Sequence, residues 1–78
     1  MVTYKVFSMS PFTEIGICEG IPDSDRQGNF VLLPLDMHDL VNVGDCLVSP
    51  SGEYLNIYSE TPVLDDNKNL VAFKLHYH

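Results

Sequence analysis

The sequence predicts an all-β fold, a small barrel or sandwich of about six strands with one short helical turn. Three observations lead there. Apolar residues recur at every second position through most of the chain, the period of a pleated strand. Clusters of Gly, Pro, Asp and Asn interrupt these runs at short intervals, each supplying a backbone reversal. Only one stretch, about seven residues long, accommodates a helix.

The first strand is expected at 2–8, where Val2, Tyr4 and Val6 alternate with Thr3 and Lys5 until Ser10-Pro11 breaks the run. A second at 13–19 places Ile15 and Ile17 on one face and the small Gly16 and Cys18 on the other. Gly20 through Gly28 is hydrophilic and rich in turn formers, so it reads as a loop. The third strand, 29–33, is apolar on both faces and therefore central, with Pro34 ending it.

Leu35 to Val41 is the helical turn, with Asp36 placed to cap it and Leu40 and Val41 folding back on the core. Gly44 then offers a positive φ and Asp45 a side-chain acceptor for nearby amides, the chemistry of a tight turn. Strands at 45–49 and 53–60 flank the reversal Pro50-Ser51-Gly52. Asp65 to Asn69 is a solvated turn before the last strand, 70–77. There Val71, Phe73, Leu75 and Tyr77 share one face, opposite Ala72, Lys74 and His76. The expected core comprises Phe30, Leu32, Leu47, Ile57, Val71, Phe73 and Leu75.

Seventy-eight residues make a single β domain, 1–78, with a thin stability margin. Eleven acidic against four basic residues give a net charge of −7, and Lys5, Arg26, Lys68 and Lys74 are scattered. No basic patch is available for phosphates, which argues against direct nucleic-acid or anionic-membrane binding. No apolar run nears the roughly 20 residues of a membrane span. The start of the chain lacks the pattern of a secretory signal, so the host-cell cytoplasm is the expected location. Cys18 and Cys46 are then expected as free, buried thiols.

No set of residues has the spacing of a catalytic, cofactor or metal site. Asp23, Asp25 and Gly28 begin like a calcium loop, but Arg26 intrudes and the twelfth position is Pro34 rather than a bidentate Glu. His76 and His78 point the same way from one strand, without a third ligand, and read as a solvent-facing pair. His38 has no activated nucleophile beside it in sequence, and Asp45 raises rather than lowers the pKa of Cys46. The aromatics read as core, because base stacking also needs a basic groove. The candidate binding residues are the carboxylates of the two acidic segments, Asp23, Asp25, Asp65 and Asp66.

From Gly28 to Leu75 the chain resembles the small head–tail joining proteins of tailed bacteriophages, the lambda FII-like group. The matching residues are Phe30-Val31-Leu32, the turn and strand from Leu40 to Leu47, Gly52-Glu53-Tyr54, and Asp65-Asp66 before Leu70 to Phe73. No long flexible arm like that group's is recognisable. The resemblance implies a non-enzymatic component at the capsid–tail junction, assembling with other subunits as a ring and carried in the virion. Assembly would also cover exposed strand edges. The competing expectation comes from charge: a small acidic inhibitor, a nucleic-acid mimic or anti-defence protein, that occupies a basic groove of a host protein.

Overall fold

The computed structural model describes residues 1–78 and shows six strands: β1 Val2–Met9, β2 Phe12–Asp25, β3 Gly28–Pro34, β4 Cys46–Val48, β5 Tyr54–Leu64 and β6 Leu70–Tyr77. They close into an antiparallel barrel in the order β1-β2-β3-β6-β5-β4. Pairing of Lys5, Val6 and Phe7 with Val48, Leu47 and Cys46 seals it. Closure pairs most strands on both sides, but residues 12–20 of β2 and 57–64 of β5 pair on one side only, so part of the expected exposed edge remains.

Two long strands make the corners. β2 pairs with β1 as far as Gly20 and with β3 from Ile21 onward. β5 leaves β4 after Asn56 and joins β6 from Ile57. At the first corner the packing is so close that a Cβ on Gly20 would run into Val31 Cγ1 and lie 3.0 Å from the Leu32 carbonyl oxygen. Glycine is the residue that fits. At the second corner Tyr58 is the extra residue of a β-bulge, skipped between the pairs Ile57–Tyr77 and Ser59–His76.

The interior is a cluster of Tyr4, Val6, Cys18, Val31, Leu33, Val41, Leu47, Leu55, Ile57 and Leu75. On β2 the small face, Gly16 and Cys18, points toward this cluster, while Ile15 and Ile17 face solvent. Both cysteines are buried free thiols, and desolvation pushes the Cys18 thiol up to about 11. The turns follow the predicted chemistry: Gly44 has φ 98° and Gly52 φ 87°, and Asp45 Oδ2 accepts the Asn42 amide at 2.9 Å.

Leu35–Leu40 forms a 3₁₀ helix that packs against β2, β3 and β6, with Met37 against the core cluster. Its N-terminus is Pro34, with no side-chain cap, so Asp36 does not act as one. Val41, immediately after it, is buried, whereas Leu40 stays exposed. His38 anchors the helix by stacking on Phe73, centroids 4.1 Å apart, and by a 2.7 Å hydrogen bond from Nε2 to Glu60 Oε1. The Met37 sulfur accepts the Glu19 amide at 3.2 Å.

Four further expectations are corrected. Gly20 to Gly28 is no loop: β2 runs to Asp25, and its polar residues pair with Gly28 to Leu32 through backbone bonds that are indifferent to side-chain polarity. Val71 is not core but 44 % exposed, because it is the bulged residue between the pairs Val63–Ala72 and Leu64–Leu70. Leu32 is only half-buried, on the outward side of β3 from Val31 and Leu33. His76 is not at the surface; it is 1 % exposed.

Candidate functional site

His76 is buried on the outside of the barrel. Val31 and Leu75 pair across the sheet and face inward, so their neighbours Phe30 and His76, also paired, face outward. Phe30 covers the imidazole with centroids 5.3 Å apart, and the bulged Tyr58 ring lies 6.3 Å away. Tyr58 donates its hydroxyl to the Gln27 carbonyl at 3.4 Å and stacks on His78 at 4.4 Å. The β2–β3 hairpin completes the cover through Asp25. Its Oδ1 lies 2.9 Å from His76 Nε2 and its Oδ2 3.1 Å from Lys74 Nζ. Lys74 also sits over the Phe30 ring at 4.8 Å.

His76 Nδ1 has no hydrogen-bond partner. The tautomer that donates Nε2–H to Asp25 leaves Nδ1 as a lone pair rather than an orphaned N–H. The hydrogen bond from His76 is the main reason the Asp25 carboxyl falls to about 2; bonds from Lys74 and the Gln27 amide add to it, and desolvation opposes.

A carboxyl depressed in the folded state stabilises above its unfolded pKa, roughly 4, and loses that contribution as pH falls through about 2. The side chain is 29 % exposed, so screening keeps the effect modest. Asp25→Asn keeps an acceptor for Nε2–H and removes the titration. Denaturant unfolding between pH 5 and 2 is expected to show a shallower stability slope for the variant than for the parent. Equal slopes would mean that the pair contributes nothing to acid stability.

The four candidate carboxylates do not share a surface. Asp23 and Asp25 project from the β2–β3 hairpin at the His76 end of β6, whereas Asp65 and Asp66 sit in the β5–β6 turn beyond Leu70. Six residue steps along β6 separate His76 from Leu70, at most roughly 20 Å at about 3.3 Å per residue. Asp25 is engaged with His76 and Lys74. Asp65 accepts the amides of Asn67 and Asn69 at 2.8 and 2.9 Å, which lowers its pKa and fixes the turn. Asp23 and Asp66 are the pair left free of other side chains.

Sequence reasoning missed the surface that is open. A groove of about 450 Å³ crosses the outer face of β1, β2 and β4, with walls that include Lys5, Ile17, Val48, Ser49, Pro50 and Gly52. Next to it Phe7 stacks on Phe12 at 4.6 Å, and Phe12 on Tyr54 at 6.1 Å. Ile17 is 55 % and Tyr54 60 % exposed, with Met9, Phe12 and Ile15 exposed beside them. A second apolar group, Leu64, Leu70 and Val71, is exposed around the β5–β6 turn. The period-two pattern on β2 was the available signal, since the large face cannot be inside when Gly16 and Cys18 are.

No group of three or more His, Cys, Asp or Glu side chains is arranged to hold a metal ion. No helix is long and apolar enough to cross a membrane. No protein family, curated protein or solved structure matches the chain.

Proposed function

We propose that this protein is a non-enzymatic assembly component that works through protein–protein contacts, of the kind that joins head to tail in bacteriophages, made in the host cytoplasm and built into the virion. One observation carries the reading: two separate groups of large apolar side chains, one beside the Lys5 groove and one at the β5–β6 turn, stay exposed on a barrel whose core is complete. Clustered exposed apolar side chains are the kind of surface that marks contact sites. A joining subunit needs two such surfaces, one for each neighbour.

The net charge of −7 favours the alternative, an acidic inhibitor that occupies a basic groove of a host protein. A nucleic-acid mimic needs carboxylates along one face, and the candidate ones lie at opposite ends with Asp25 and Asp65 engaged internally. The assembly reading therefore has the stronger support.

Salt distinguishes the two. Fluorescently labelled chain is titrated with unlabelled chain, and separately with a basic nuclease, from low to high ionic strength. Self-association that strengthens with salt supports assembly, since salt screens repulsion between like-charged copies. Salt-sensitive capture of the nuclease with no self-association would replace it with the inhibitor reading.

A further inference from the structure

We propose that the β5–β6 hairpin tip of one copy seats in the Lys5 groove of the next, a head-to-tail contact that deepens the assembly reading and rests on it. The tip stands clear of the barrel on its β3 side. Pairing of β6 with β3 ends at Ala72, whereas pairing with β5 continues to Leu64–Leu70. Beyond it the turn from Asp65 to Asn69 is held by its own bonds, so the tip enters a contact already ordered.

The tip and the groove are complementary. Lys5 has no carboxylate of its own chain within salt-bridge distance, and it lies among Ile17, Val48 and Pro50 in the groove. Asp66 is exposed and unpaired, with exposed Leu64 and Leu70 on either side of the turn. Two carboxylates and Lys68 leave the turn at −1, opposite in sign to the groove's only charged wall residue.

The tip does not line the groove of its own chain. Tyr54 starts β5 beside the groove and Leu64 ends it at the tip, ten residue steps that cover at most roughly 33 Å because the strand bends at the Tyr58 bulge. Donor and acceptor surfaces are built from different residues, which makes the contact heterologous. Repetition closes a ring if the rotation per copy allows and otherwise extends a filament.

A charge swap tests the contact. Lys5 and Asp66 are both exposed, and intact folding of each variant is verified by circular dichroism and thermal melting. Lys5→Glu alone and Asp66→Lys alone are each expected to weaken self-association about tenfold, by placing like charges together. An equimolar mixture of the two is expected to associate like the parent, because each tip then meets a groove of opposite sign. Leu64→Ser, at an exposed position, is expected to weaken association without changing the effect of salt.

Single variants that associate like the parent, or a mixture that stays weak, would overturn this contact while leaving self-assembly standing. A parent that remains monomeric at every concentration would overturn both.

Discussion

Phe73→Ala is expected to lower the unfolding free energy by about 3–5 kcal/mol, the usual loss for a buried aromatic ring. A domain of 78 residues has a total of only about 4–12 kcal/mol to lose. Phe73 is buried where β6 meets the 3₁₀ helix, and its ring is the platform on which His38 stacks. Truncation therefore opens a cavity and also removes the ring against which His38 anchors the 3₁₀ helix. Urea titration reads the effect as a fall in midpoint. An unchanged midpoint would mean that the Phe73 ring and its contact with the helix contribute nothing to the fold.

Gly20→Ala is the second large expected effect, at about 1–3 kcal/mol for overpacking. The added methyl runs into Val31 Cγ1 and meets the Leu32 carbonyl oxygen at 3.0 Å. Val31 is fully buried and β-branched, so it has little room to turn away. The clash is specific to that pair. Gly20→Ala combined with Val31→Ala should therefore cost less than the sum of the two single changes, since neighbouring sites couple. Strict additivity would show that the corner tolerates a Cβ after all.

The barrel's strands were legible because alternation and turn chemistry are local. Val2, Tyr4 and Val6 announce β1 without help from the rest of the chain, and Gly44 and Gly52 adopt the positive φ their turns require. Bulges were not legible. Val71 continues the alternating pattern of Phe73 and Leu75, yet an extra residue in the ladder leaves it exposed, and nothing in its own neighbours signals the slip. The reach of β2 to Asp25 was hidden for a related reason, since backbone pairing with β3 decides it while the side chains are those of a loop.

The candidate site was less legible than the fold. Asp25 and His76 are 51 positions apart, and only barrel closure with the hairpin fold-over joins them. The segments carrying Asp23, Asp25, Asp65 and Asp66 are acidic by sequence, but their placement at opposite ends of β6 depends on strand register. The Lys5 groove draws on β1, β2 and the β4–β5 turn, so no single segment of sequence displays it.

Self-assembly through protein surface is the central claim, and molar mass in solution by light scattering tests it most directly. At −7 per copy, repulsion opposes association at low salt; at about 0.15 M the screening length shortens to about 8 Å, and apolar contact can prevail. The expected result is a mass above the 8.8 kDa of one chain that rises with protein concentration and with ionic strength. A mass fixed at 8.8 kDa across both series would contradict the account.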